Sequence, residues 1–142
     1  MCGIAGLFRP GAPLDAAQAG RVLNAAGEAM AYRGPDAAGV KVLPEHGLGL
    51  AHRRLSILDL DARSDQPWAS SDGRYLIVYN GEVYNFKELR AELAAHGTRF
   101  RTHGDTEVVV EGARTWGVEG FLARAAGMFA FALYDLQARR LT

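Results

Sequence analysis

Apolar and polar residues follow one another along the chain in patterns that predict short strands and helices. The apolar run CGIAGLF (2–8) ends at Arg-Pro-Gly, which is typical of a strand followed by a turn. From Asp15 to Met30, alanines and leucine-like residues with few helix breakers predict a helix. Asp15 is a suitable N-cap because its carboxylate can accept from a free backbone N–H of the first turn.

The middle of the chain predicts a series of strands separated by loops. Gly and Pro in YRGPDAAG (32–39) indicate a loop, and the polar stretch 61–73 indicates another. The aromatic and β-branched run RYLIVYNGE (74–82) predicts a longer strand. Three short apolar runs predict a meander: Val40–Leu43, Leu48–Ala51 and Leu55–Leu60.

Two further helices are predicted in the second half. Asn85 and Glu88 have the spacing of a capping box, and His96-Gly97 provides a stop for the helix that follows. Asp105 is predicted to cap a third helix, which continues to about Trp116.

Two more strands complete the pattern. Phe100–Thr102 predicts a brief one, and GMFAFALYD (127–135) predicts the most apolar strand of the chain. Strands, then helices, then a strand favour an α+β or a layered α/β domain. The last strand lies so close to Thr142 that we expect the chain to be an incomplete domain.

Composition excludes several classes of function. The chain has 142 residues and a formal net charge of zero, so it has the length of one domain and no basic field for nucleic acid or an acidic membrane. No apolar run has the length of a membrane-spanning helix, and no signal peptide is visible. A single cysteine cannot form an internal disulfide, which favours a reducing, cytoplasmic location. The four histidines lack metal-ligand spacing and no phosphate-binding loop is present, so we expect no metal or cofactor in this chain.

The only cysteine, Cys2, has two interpretations. It can be a small buried residue at the start of a strand, as free cysteines often are. Alternatively, removal of Met1 gives a residue that carries both a thiol and a free α-amine. That amine has an ordinary pKa of about 7.7–8.0, so it can act as the base that activates the thiol.

Three other motifs each have a structural and a chemical interpretation. Asn80-Gly81 is typical of a hairpin turn, or its side-chain amide and backbone N–H can stabilise an oxyanion. Arg53 and Arg54 can form surface ion pairs, or one of them can bind a carboxylate bidentately. Asp105 can cap a helix or hold an ammonium group.

The order of the motifs resembles a known family. MCGIAGLF, YRGPDAAG, AHRRLSILD, YNGEVYNF, GDTEV and GMFAFALYD resemble, in order and spacing, the class II glutamine amidotransferase domain of asparagine synthetases. That family consists of N-terminal-nucleophile hydrolases. RGPD and RLSI are similar to the asparagine-synthetase branch in particular. The resemblance covers residues 1–142 and implies an αββα sandwich of two antiparallel sheets between helical layers.

The resemblance also implies a role for each site residue. Cys2 would attack the side-chain amide of L-glutamine, and Asn80 with the Gly81 N–H would form the oxyanion hole. Arg54 would bind the α-carboxylate and Asp105 the α-ammonium of the substrate. Further glutamine contacts are implied for Leu55, Ser56, Ile57, Leu58, Gly81 and Glu82.

Members of this family also carry an ATP-dependent synthetase domain, in which aspartate is amidated. The resemblance therefore implies ATP and Mg²⁺ in a part that this chain lacks, and a synthetase domain and a second copy of the protein as partners. Two alternatives stay open. The amidated carboxylate can be a different one, as in antibiotic or surface-polymer biosynthesis, or the chain can bind glutamine without turnover.

Overall fold

A central strand organises the first of two antiparallel sheets. The computed structural model describes residues 2–57 and 59–142. In the first sheet β3 (Leu48–Arg54) lies between β1 (Gly3–Phe8) and β2 (Ala37–Leu43). Both pairings are antiparallel, with Gly3 opposite Arg53 and Ala37 opposite Arg54. The end of β3 therefore lies beside the residue that follows Cys2.

The second sheet has the order β4-β5-β6-β7. Its long strands, β5 (Tyr75–Val83) and β6 (Gly127–Asp135), pair along their whole length. The outer strands β4 (Trp68–Ala69) and β7 (Arg140–Leu141) are short. Because β4 pairs only with Leu76 and Ile77, no strand of the described residues lies beside the outer edge of β5 beyond Ile77.

Helices cover the outer faces of both sheets. The helix α1 (Ala16–Ala29) packs on the first sheet, where a Cβ at Gly49 would lie 2.6 Å from Leu23 Cδ1. The helices α2 (Phe86–Ala95) and α3 (Asp105–Leu122) pack together, and α3 contacts β5. Short 3₁₀ helices span Pro44–His46 and Ala62–Ser64.

Two hydrophobic cores separate these layers. One core lies between the sheets and contains Leu48 and Leu50 from β3, Leu76 and Val78 from β5, and Tyr134 from β6. The other lies between the second sheet and its helices and includes the neighbouring residues of β5, in the alternation that a pleated strand requires. The layers are therefore helix, sheet, sheet and helix, which confirms the predicted α+β sandwich.

Local signals predicted several elements well. The strand predicted over 127–135 has those bounds, and α1 begins and ends within a residue of the prediction. Asp15 is confirmed as the N-cap of α1, and its Oδ1 accepts from Gln18 N at 2.7 Å. The helix predicted to end near Trp116 has a break at Gly117, where φ is 74°, and continues to Leu122.

Two predicted strands are wrong. The described residues of 55–60 are not a strand, because Ser56 N donates to the Asp36 carboxylate and Leu55 N to Cys2 Sγ. Residues 100–102 are not a strand either, because the Glu107 carboxylate accepts from the N–H groups of Arg101 and Thr102. In both segments side chains from outside the segment take the backbone bonds that a strand would need.

Two predicted side-chain caps are also wrong. Asn85 is the N-cap of α2, but its side chain bridges Arg124 O and Ala126 N instead of the first turn. The N-cap of α3 is Gly104, and Asp105 is the first helical residue. Among the described residues, no helix combines the length and the apolar character that crossing a membrane requires.

Candidate active site

A cavity of about 280 Å³ lies where the ends of β1 and β3, the free edge of β5 and the start of α3 meet. Its volume is near the lower end of the range for small-molecule sites. Most of the predicted site residues line it: Cys2, Arg54, Leu55, Ile57, Asn80, Gly81, Glu82 and Asp105. Ser56 lies on a shallow neighbouring depression instead, and Met1 and Leu58 lie outside the described residues.

Cys2 lies in the cavity wall directly before β1 and is half-buried. Leu55 N donates to Cys2 Sγ at 3.4 Å, and the thiol lies 3.8 Å from Leu55 O. Arg33 Nε donates to the Cys2 carbonyl at 3.2 Å. The thiol thus faces the cavity, directly before the first residue of β1.

The RGPD loop fixes the backbone around the thiol. Gly34 lies so close to β3 that a Cβ there would be 2.4 Å from the Arg53 carbonyl carbon. Arg53 Nε donates to Gly34 O at 3.1 Å, while Asp36 Oδ2 accepts from Ser56 N at 2.7 Å. Arg53 is therefore occupied by this loop, which leaves Arg54 as the arginine of the pair that lines the cavity.

Asn80 and Gly81 lie inside β5 and not in a hairpin turn, so the turn interpretation is wrong. Tyr79 N donates to Gln66 Oε1 and Val83 N to Asp105 Oδ2, both on the free edge of the strand. Because backbone groups alternate sides along a strand, the Gly81 N–H between them is directed to the same edge. Asn80 Oδ1 is buried, and the described part of the chain offers it no hydrogen-bond partner.

Arg54 is held from one side by the loop that follows β3. Nη1 donates to Asp61 O at 2.9 Å and to Asp65 Oδ1 at 2.7 Å, and Nη2 donates to Asp59 O. These bonds use three of the five guanidinium N–H groups. Within residues 2–57 and 59–142, Nε–H and one Nη2–H have no partner, and such neighbouring donors suit a carboxylate.

Asp105 is 5% exposed and receives two hydrogen bonds on one oxygen. Tyr79 Oη donates to Oδ2 at 2.6 Å and Val83 N donates to it at 3.0 Å. Burial, and then the neighbouring carboxylate of Asp105, raise the pKa of Tyr79 far above its ordinary value, so the phenol stays protonated. No cation pairs with Asp105 among the described residues.

A second carboxylate joins the Arg54 loop to the start of α3. Asp59 Oδ2 accepts from His103 N at 2.8 Å, and Asp59 Oδ1 accepts from Asp61 N at 3.0 Å. The bond from His103 is the largest cause that lowers the pKa of Asp59 to about 2. Asp59 is therefore ionised at neutral pH and holds this wall of the cavity in place.

Several cavity residues were not predicted from the sequence. They come from loops, strands and the start of α3, and several lie in the quoted motifs without a predicted role. The Gln66-Pro67 pair and the aromatic residues of β5 were the only local signals. The unpredicted lining residues are Asp59, Ser64, Gln66, Trp68, Tyr79, Tyr84, Thr102, Gly104, Thr106, Glu107 and Met128.

The lowered pKa of His52 predicts that the free energy of unfolding depends on pH. Burial is the main cause that lowers its pKa from 6.5 to about 4, while Arg54 lowers it and Asp65 raises it by smaller amounts. The unfolded chain then binds more protons between these values, so stability falls as the pH drops from 6.5 towards 4. The expected loss is about 3 kcal/mol, measured by urea unfolding across this range.

The matched variant for this measurement is His52→Gln, which cannot titrate. It should remove most of the pH dependence above pH 4, because Asp59 and Asp135, with pKa values of about 2, lose their contribution only at lower pH. If the free energy of unfolding of the variant depended on pH as steeply as that of the wild type, the assignment to His52 would be wrong.

No group of three or more His, Cys, Asp or Glu side chains in the described chain is placed to hold a metal ion. The charged groups of the cavity wall are instead one cation, Arg54, and the carboxylates of Asp59, Glu82, Asp105 and Glu107, and the thiol of Cys2 lies beside them. Such a set can bind the two charged ends of an amino acid and present a nucleophile to its side chain.

Known structures and sequences define the class of this protein. The fold matches glutamine phosphoribosylpyrophosphate amidotransferase from Bacillus subtilis with a TM-score of 0.70 at 17% identity, over 95% of this chain and 35% of that one. A sequence profile for the glutamine amidotransferase domain matches residues 1–142. The chain belongs to the glutamine amidotransferase domain family.

Its curated relatives are longer proteins. Asparagine synthetase [glutamine-hydrolyzing] 2 of Bacillus subtilis is 39% identical over 95% of this chain and 17% of its own length. A putative asparagine synthetase [glutamine-hydrolyzing] of Mycobacterium bovis is 42% identical over 89% of this chain and 20% of its own. Amidase chry2 of Gibberella zeae is 35% identical over 99% of this chain and 22% of its own. The chain thus spans about a fifth of these relatives.

Proposed function

We propose that this chain hydrolyses L-glutamine to glutamate and ammonia, with Cys2 as an N-terminal nucleophile. The observation that carries the proposal is the meeting of Cys2, Asn80, Gly81, Arg54 and Asp105 in one cavity. These residues come from the chain start, two strands and a helix. Together they match glutamine, which has a carboxylate, an ammonium group and a distal amide.

The proposed reaction proceeds through a thioester. Cys2 Sγ forms a bond to the side-chain carbonyl carbon of glutamine, and the C–N bond then breaks as the nitrogen takes a proton and leaves as ammonia. Water attacks the γ-glutamyl thioester, which releases glutamate and restores the thiol. The α-amine of Cys2 carries the proton, so the reaction requires that Met1 be removed.

Asn80 and Gly81 would stabilise the oxyanion of each tetrahedral intermediate. The Gly81 N–H is directed to the free edge of β5, and the Asn80 amide lies on the cavity wall without a structural bond to its oxygen among the described residues. Neutral donors fixed in advance at the place where negative charge develops lower the barrier of such reactions by several kcal/mol.

Arg54 and Asp105 would bind the two charges of the substrate. The free Nε–H and Nη2–H of Arg54 suit the α-carboxylate, and Asp105 Oδ1 suits the α-ammonium. The backbone of Leu55 to Leu58 and the side chain of Glu82 would complete the contacts around the amino-acid end of glutamine.

Asp105→Asn should raise the KM for glutamine about 30- to 100-fold, because it removes a charged contact of about 2–3 kcal/mol while Asn can still accept from Tyr79. The matched control is Asp135→Asn, since both carboxylates are 5% exposed but Asp135 pairs with Arg74 outside the cavity. The control should lose stability and keep its KM. Equal KM values in Asp105→Asn and wild type would contradict the role of Asp105.

We further propose that the whole protein uses the ammonia to make asparagine from aspartate and ATP. This rests on relatives named asparagine synthetase [glutamine-hydrolyzing] that are about five times longer than this chain. ATP and Mg²⁺ would then bind in a synthetase domain outside this chain. The test is asparagine formation by the whole protein from glutamine, aspartate and ATP, and glutamine hydrolysis without asparagine would contradict this part.

A second candidate is amidation of another carboxylate. It is favoured by the similarity to a relative that is named Amidase chry2 and not asparagine synthetase, and this similarity covers nearly all of this chain. The two candidates share the glutamine site and differ only in the acceptor. Competition between aspartate and other carboxylic acids for ammonia released from labelled glutamine distinguishes them.

A further inference from the structure

In the part of the chain that the structure describes, no strand lies beside β5 where it carries the proposed oxyanion site. β4 pairs with β5 only at Leu76 and Ile77, so none of the described strands reaches the backbone of Tyr79 on that side. This gap is what leaves room for the cavity beside Asn80 and Gly81. A backbone without partners at a buried edge would cost stability and would leave the strand free to shift.

Two buried side chains close this gap. Gln66 Oε1 accepts from Tyr79 N at 2.6 Å, and His52 Nε2 lies 3.1 Å from Tyr79 O. Gln66 is 6% exposed and His52 is 1% exposed. Gln66 therefore supplies the hydrogen-bond acceptor, and His52 the donor, that a neighbouring strand would otherwise offer to the backbone of Tyr79.

The protonation of His52 agrees with this role. A carbonyl oxygen only accepts, so Nε2 must carry the hydrogen. Burial holds the pKa of His52 well below its ordinary value, which keeps the ring neutral at physiological pH. The charged groups nearby are Arg54, on the same strand, and Asp65, which pairs with it.

We propose that His52 and Gln66 are positioning residues for glutamine hydrolysis, because they hold the Tyr79–Asn80 peptide and thereby orient Asn80 and Gly81 towards the thiol of Cys2. This inference rests on the proposed glutaminase activity. His52 bonds to the oxygen of Tyr79, and the peptide group of this oxygen also contains the backbone nitrogen of Asn80. A shift of this peptide therefore moves both oxyanion donors.

The effect should appear in kcat and not in KM. Arg54 and Asp105 hold the substrate by contacts that do not involve His52, whereas the oxyanion exists only after attack. Asp105 is in addition held by Val83 N, so it keeps its place when the Tyr79 backbone shifts. A purely structural role would lower the melting temperature and leave the kcat of the folded protein unchanged.

The experiment compares His52→Leu, His52→Gln and Gln66→Met in the whole protein, with glutamate release measured at temperatures where each is folded. We expect kcat to fall on the order of 10- to 100-fold in His52→Leu and Gln66→Met, with KM within about threefold of wild type. His52→Gln should recover most of the lost kcat, because its amide nitrogen reaches the position of Nε2 and can donate to Tyr79 O.

The matched control is His46→Leu. His46 Nδ1 also lies within hydrogen-bond distance of a residue of the second sheet, Tyr134 Oη at 3.2 Å, but His46 is outside the cavity wall. It should lose stability without loss of kcat. Wild-type kcat in folded His52→Leu, or a kcat in His52→Gln as low as in His52→Leu, would overturn the inference. Absence of hydrolysis by the wild type would instead overturn the proposed function.

Discussion

Cys2→Ala should abolish the release of glutamate from glutamine, with a loss of at least about 10⁴-fold. The substitution removes the atom that would form the proposed thioester, and no other thiol exists in the chain. Because Cys2 is half-buried at the end of a strand, alanine should be accepted there with little change in stability. The measurement is glutamate and ammonia release by the whole protein, before and after the substitution.

The proposed synthetase activity of the whole protein provides the internal control for this prediction. Aspartate amidation driven by added ammonium chloride should persist in Cys2→Ala, since ammonia then enters after the step proposed for Cys2. Loss of both activities would point to a damaged fold and would be visible as a lower melting temperature. Glutamine turnover that survives in a folded Cys2→Ala protein would show that Cys2 is not the nucleophile.

Gly81→Ala should destabilise the domain by at least about 3 kcal/mol and lower kcat of the remaining folded protein by about 10²-fold or more. Gly81 has a φ of 149°, and a Cβ there would lie 2.3 Å from Met128 O and 2.4 Å from Phe129 Cα. These are backbone atoms of the paired strand, so they cannot turn away. To avoid this clash, either β5 separates from β6 or the Gly81 N–H turns away from the free edge of β5.

The control is another glycine with a positive φ but with open space around it. Gly97 has a φ of 91°, and a Cβ there would meet nothing within 4 Å. Gly97→Ala should therefore cost only the backbone strain of about 1–2 kcal/mol and keep kcat. Urea unfolding and glutamine hydrolysis measure both quantities. Equal losses of stability and of kcat in Gly81→Ala and Gly97→Ala would mean that the close contact of Gly81 with β6 does not determine either quantity.

Elements with a strong pattern in their own sequence were predicted best. β6 is a continuous apolar strand and α1 has its own cap, so their sequences contain most of what determines them. The described residues of 55–60 and residues 100–102 also contain apolar side chains. In these two segments, however, backbone N–H groups bond to the side chains of Asp36 and Glu107. Both side chains lie outside the segments, so the apolar pattern of the segments does not reveal these bonds.

The residues of the candidate site were likewise predicted only in part from the sequence. The order of the motifs along the chain indicated Cys2, Arg54 and Asp105, and these side chains share one cavity. Tyr79 was predicted only as a strand residue, although it bonds to Gln66, Asp105 and His52, which are 13, 26 and 27 positions away. Single-sequence patterns describe neighbours along the chain, and these partners meet only after both sheets and α3 have packed.

Attack of Cys2 on glutamine, as the first residue of the mature chain, is tested by reaction of the whole protein with a diazoketone analogue of glutamine, followed by intact-mass and peptide mass spectrometry. We expect one adduct per chain, on the thiol of an N-terminal Cys2 without Met1. Excess glutamine should prevent this adduct, and Asp105→Asn should greatly reduce it. Adduct formation at another residue, or active protein that retains Met1, would contradict attack by an N-terminal Cys2.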